Sequence, residues 1–108
     1  INVTVDTKKL TDDSVKAHYG WYGMANTANY YIDNDMDADL AMQLASTSLK
    51  MGEHFYNKWV MAKVYAKKGE KKKALEQAMA AKKWGDANPS NFYNVYKKEI
   101  AEAITKWK

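Results

Sequence analysis

Apolar residues recur along most of this chain at intervals of three and four, the spacing that lines one face of an α-helix. The first six residues depart from it: Ile1 to Asp6 (INVTVD) alternates apolar and polar positions with β-branched types, the pattern of a strand. From Thr11 the period becomes helical. Asp12, Asp13 and Ser14 supply a cap and first-turn acids, and Val15, Tyr19, Tyr22, Ala25, Ala28 and Tyr31 or Ile32 follow on one face. Gly20 and Gly23 weaken the middle of that stretch and predict a kink or a division there. Asp33-Asn34-Asp35 closes it. Further helices are predicted over about 37–51, 55–68 and 71–84, stopped by Gly52, Gly69 and Gly85. Asn88-Pro89 reads as an N-cap with proline at the first helical position, opening a last helix to Trp107. Its Tyr93, Tyr96, Ile100, Ala103, Ile104 and Trp107 make one apolar stripe. The strand-like segment has no partner strand, so residues 1–10 read as a leader from an upstream β-domain or a tail, and residues 11–108 as one helical domain.

The helices repeat. At an offset of 33, Ala41, Ala45, Ser48, Met51 and Gly52 fall on Ala74, Ala78, Ala81, Trp84 and Gly85. The helices before them match at an offset of 34, Trp21, Ala25, Ala28 and Tyr31 falling on Phe55, Trp59, Ala62 and Tyr65. The connection in the first pair is therefore one residue longer. Small residues at i, i+4 and i+7 let the second helix of each pair sit close against the first, while aromatics fill the space between pairs.

The segment from Trp59 through Ala62, Tyr65, Gly69, Ala74 and Ala78 to Ala81 resembles a tetratricopeptide repeat. A second copy, with Ser48 at the last small position, covers about residues 21–54, and residues 88–108 correspond to the polar-faced helix that caps such arrays. Pro89 sits a few residues later than the family pattern places it. The resemblance implies an all-α domain of about five helices: two antiparallel hairpins and a C-terminal capping helix, wound into a right-handed superhelix behind the strand-like leader. Strand, repeat pair and final helix together are also similar to the C-terminal part of bacterial exported proteins of unknown function, which implies a periplasmic or exported location.

Composition narrows the function. All 17 basic residues are lysine, so the guanidinium that usually reads phosphates and bases bidentately is missing, and no specific nucleic-acid partner is expected. Residues 1–53 hold four Lys against eight acids, and residues 54–108 hold 13 Lys against five. A basic half invites nucleic acid or an anionic surface, though solvated lysine faces are the commoner use of such residues. There is no cysteine, hence no disulfide framework, thiolate metal site or cysteine nucleophile. No apolar run reaches the roughly 18–20 residues of a membrane span.

No motif for catalysis, metal or cofactor survives inspection. Asp33-x-Asp35-x-Asp37 has the spacing of a calcium loop, but Ala38 and Leu44 stand where glycine and a bidentate glutamate are required. These acids read instead as helix caps. His18 and His54 lack a second ligand at helical spacing, and Glu99 and Glu102 are one turn apart on a terminal helix with nothing pocket-like beside them. The basic turn Lys67 to Lys73 lies near Tyr65, which the repeat assigns to the core rather than to base stacking.

The function implied by the resemblance is non-catalytic binding of a protein or peptide, or scaffolding of the chain's own upstream β-domain, by a monomer. The concave face that such repeats present maps onto Tyr22, Asn29, Tyr56, Lys63 and Lys67, with Tyr93 or Lys97 from the last helix. Aromatics there would supply contact area, and the lysines would hold a carboxylate. The competing reading is a lysine-rich helical binder of nucleic acid or an anionic surface; an enzyme whose active site lies in a missing domain is a third.

Overall fold

A computed structural model describes the backbone of residues 13–108 and the side chains from residue 20 onward. The strand-like leader and the boundary at residue 11 lie outside the described residues. Those residues form five helices, α1 (Asp13–Asp33), α2 (Ala38–Met51), α3 (Phe55–Lys67), α4 (Lys71–Ala87) and α5 (Asn91–Trp107), and contain no strand. α1 and α2 make one hairpin, α3 and α4 a second. α5 lies mainly on α4, and α3 packs against all four of the other helices.

The predicted weak point in α1 is Gly20, whose φ of 66° and ψ of −179° interrupt the helix in a region open essentially to glycine alone. α1 and α3 end in the same Schellman turn. In α3, Gly69 N–H donates to the Ala66 carbonyl and Glu70 N–H to that of Tyr65, with Gly69 at φ 83°. In α1, Asp35 N–H donates to Ile32 and Met36 N–H to Tyr31, with Asp35 at φ 54°. The extra residue of the first connection is used here: Asp37 follows Met36 and caps α2, its Oδ1 accepting Leu40 N–H at 3.0 Å. Glu70, which opens α4, makes no such bond.

Two helix ends differ from expectation. α4 runs past Gly85 to Ala87, and Gly85 is a buried helical residue against which the Tyr93 ring packs. A Cβ there would lie 2.1 Å from that ring, so the glycine permits a close approach of α5 rather than a stop. α5 is capped by Ser90, whose hydroxyl accepts Tyr93 N–H at 3.0 Å, not by Asn88.

The small positions of the repeat lie in the core. Ala41, Ala45, Ser48, Ala74, Ala78 and Ala81 are all fully buried, as are Ala25, Ala28 and Ala62 of the facing helices. α3 buries residues around its whole circumference, from Phe55 and Tyr56 to Trp59, Val60, Met61 and Val64, as a helix enclosed by four others must. Asn57 is its one fully buried polar side chain, and every group of it is used. Its Oδ1 accepts His54 N–H, and its Nδ2 donates to the Gly52 carbonyl at 2.7 Å and Ser48 Oγ at 3.1 Å. Ser48 in turn donates to the Trp21 carbonyl, so one polar knot joins α1, α2 and α3.

Candidate functional site

α1, α3 and α5 share one face. Helical spacing puts Tyr22, Asn26, Asn29 and Asp33 in a line along α1, Tyr56, Trp59 and Lys63 along α3, and Phe92, Tyr96 and Glu99 along α5. Contacts knit the three lines together. Tyr22 stacks on Tyr56 at 5.4 Å between ring centroids, Tyr96 reaches Tyr56 at 5.6 Å, and Phe92 lies within 6.0 Å of all three tyrosines. Tyr56 Oη donates to Asn26 Oδ1 at 3.0 Å, and Trp59 Nε1 donates across to Glu99 Oε2 at 3.2 Å. Trp107 closes the far end against Trp59 at 6.0 Å. Tyr22 stands out, 48% exposed.

The charged groups of this face are mostly engaged with one another. Lys63 Nζ donates to Asn29 Oδ1 at 2.6 Å and to Asp33 Oδ1 at 2.7 Å, and Asn29 Nδ2 donates to the second Asp33 oxygen. Burial, with the neighbouring Tyr96, Tyr22 and Asp33, pushes the Tyr56 hydroxyl far above its usual range, so it stays a neutral donor. Tyr96 moves the same way, through partial burial first and then Tyr22, Glu99 and Asp33.

The residues singled out from the sequence divide accordingly. Tyr22, Asn29 and Lys63 lie together on the shared face. Tyr56 is there too, but only 1% exposed, the floor of the aromatic cluster rather than a surface a ligand touches directly. Lys67 is drawn to Asp35 of the first hairpin turn. Tyr93 and Lys97 belong to another side of α5. Tyr93 is 2% exposed beneath α4, its hydroxyl donating to Asp86 Oδ1 at 2.8 Å, and burial with that carboxylate pushes it up to about 12. Lys97 acts on Asp86 from the same side. Phe92, Tyr96, Glu99 and Asn26 are the members that the sequence reading did not place on this face. For the three on α5 the signal is a second stripe at i, i+4 and i+7, beside the buried Tyr93, Ile100 and Ile104; Asn26 falls on the Tyr22 line of α1 at i+4.

Neither a family model, nor a curated protein, nor a solved structure matches the chain. The chemistry therefore rests on the geometry.

Elsewhere the groups with catalytic or metal-binding potential are tied into the scaffold. Asp33, Asp35 and Asp39 pair with Lys63, Lys67 and Lys68 of α3 and its end, so the acidic first turn meets the basic half of the chain. Among the described residues no three His or acidic side chains converge as a metal would need. His54 caps α3 through Nδ1, and the His18 side chain lies outside the described residues. A shallow depression of about 670 Å³ between α4 and α5 is lined by Met79, Lys82, Asp86, Ile104 and Lys108. Lys82 and Asp86 pair across part of it at 2.7 Å. No described helix is long and apolar enough to cross a membrane.

Proposed function

We propose that this chain is a non-catalytic peptide- or protein-binding module of two tetratricopeptide-like hairpins and a capping helix, with the face shared by α1, α3 and α5 as its recognition surface. The observation that carries this reading is the aromatic cluster Tyr22, Tyr56, Phe92 and Tyr96, built from three alternate helices and flanked by Asn26, Asn29, Lys63 and Glu99. Rigid aromatic rings beside hydrogen-bonding groups give contact area at little entropic cost. α2 and α4, whose small residues are buried against α1 and α3, serve as the backing. The lysine-rich reading is weakened because Lys58, Lys63, Lys67, Lys68, Lys73 and Lys82 each meet a carboxylate.

The test is selection from a displayed library of random nonapeptides. Selected peptides should bind the 108-residue chain with micromolar affinity and lose it on Tyr22→Ala with Tyr96→Ala, one exposed and one partly buried position, in a variant whose thermal melt is checked to remain cooperative. No selected sequence, or binding indifferent to both substitutions, overturns the assignment. Tight binding of a single-stranded oligonucleotide that collapses between low and raised salt would establish the lysine-rich reading instead.

A further inference from the structure

We infer that the shared face takes a cationic side chain, lysine or arginine, of its bound peptide, seated against Tyr22 and Tyr96 with Glu99 as counter-ion; this rests on the reading of that face as peptide-binding. The sequence alone suggests the opposite ligand, a carboxylate held by lysines. The geometry removes those lysines. Lys63 is bonded to Asn29 and Asp33 with its side chain 19% exposed, and Lys67 is paired with Asp35. Asp33 cancels the charge of Lys63 on the spot.

Glu99 has no such partner among the described residues. It forms no ion pair among the described residues, and the one hydrogen bond it accepts comes from the neutral indole of Trp59, to Oε2. A neutral donor orients a carboxylate without cancelling its charge, so a negative group that no described cation pairs with stands one helical turn from Tyr96. Tyr22 and Tyr96 each reach the Tyr56 ring, at 5.4 and 5.6 Å, and no ring pair joins the two directly among the described pairs. An exposed tyrosine ring, Tyr22, and a partly buried one, Tyr96, over an aromatic floor present the negative π-surface that holds an ammonium or guanidinium within about 6 Å of a ring centroid. The upward displacement of the Tyr96 hydroxyl, to which Glu99 and Asp33 contribute after burial and Tyr22, is consistent with a negative field at that ring. An acidic side chain entering here meets Glu99 as a like charge.

The experiment uses the nonapeptides selected above, synthesised with each Lys replaced by acetyl-lysine and each Arg by citrulline, on the full chain and on Glu99→Gln. Glutamine keeps the oxygen that accepts from Trp59, and the ligand-side replacements need no change in the protein. Peptides that depend on Tyr96 should carry Lys or Arg at one fixed position. Neutralising it should weaken binding about tenfold on the native chain and less than about twofold on Glu99→Gln, the coupling expected of a direct pair. Tyr96-dependent peptides that are apolar or acidic at every position, or whose neutralised forms bind the native chain equally well, overturn the cationic-ligand inference and leave the peptide-binding reading standing. Peptides that ignore Tyr22 and Tyr96 overturn both.

Discussion

The imidazole of His54 lies 4.4 Å from the Trp21 ring and 4.4 Å from the Trp84 ring, and its Nδ1 accepts the Tyr56 N–H at 3.2 Å. That bond requires the neutral ring with its proton on Nε2. Burial also holds the group below the ordinary histidine value of 6.5. The unfolded chain therefore takes up the His54 proton first as pH falls, so this contribution to stability is complete above about 6.5 and is lost through the lower, folded-state value. Thermal melts should show a lower Tm at pH 5.5 than at pH 7.5. The loss should be modest, because the ring is only partly enclosed and solvent screens its charge. Asn caps helices without titrating. His54→Asn should flatten that slope, and an unchanged slope in the variant would assign it to other groups. At this scale the face shared by α1, α3 and α5 is half legible in the sequence. Tyr22, Asn29 and Lys63 come from the repeat resemblance, whereas Tyr56 looks exposed only until α5 is laid over it. Tyr96 and Glu99 were hidden because one residue's rotation about α5 decides which stripe is buried, and Gly85 makes that choice by letting Tyr93 in.

The two hairpins solve one turn with different residues. Asp35 and Gly69 occupy the same position of the same Schellman motif, both with positive φ, and only glycine does so without steric cost. Relieving a non-glycine residue of that conformation returns part of roughly 1–2 kcal/mol, less the greater freedom of glycine in the unfolded chain. The Asp35 contact with Lys67 is exposed and contributes little. Asp35→Gly should therefore stabilise by about 0.5–1 kcal/mol and raise Tm by about 2–8 °C. Gly69→Asp should shift it the other way, and a lower Tm for Asp35→Gly would mean that the turn carboxylate matters more than the backbone. The hairpins were readable because alanine and serine at fixed spacing leave two helices little choice of partner. Gly52 and Gly69 end helices as expected from their neighbours. Gly85 is the same residue used for a different purpose, and nothing local distinguishes a glycine that ends a helix from one that admits a neighbouring ring.

At the scale of the whole molecule α3 is the axis, and α5 completes its enclosure. Tyr93, Ile100 and Ile104 of α5 are buried, and the Phe55 and Tyr56 rings lie within 6.1 Å of aromatic rings on that helix. Each fully buried side chain of this size contributes about 1.5–3 kcal/mol, and a domain of this length has a net stability of about 5–15 kcal/mol. Removing five such burials takes away a sum comparable with the entire net stability, even after the ordering entropy of α5 is returned. Two stacked hairpins are also fewer than the three repeats that such arrangements usually need. Truncation to residues 1–87 should abolish the cooperative thermal transition and leave a chain of reduced helicity, measured by far-ultraviolet circular dichroism. The milder Ile100→Ala, at a position with no exposed surface, should keep the fold while costing about 2–5 kcal/mol. A sigmoidal melt retained in the truncated chain would show that the hairpins stand alone. α5 would then act chiefly as the carrier of Tyr96 and Glu99, and its loss would remove the proposed recognition face without removing structure.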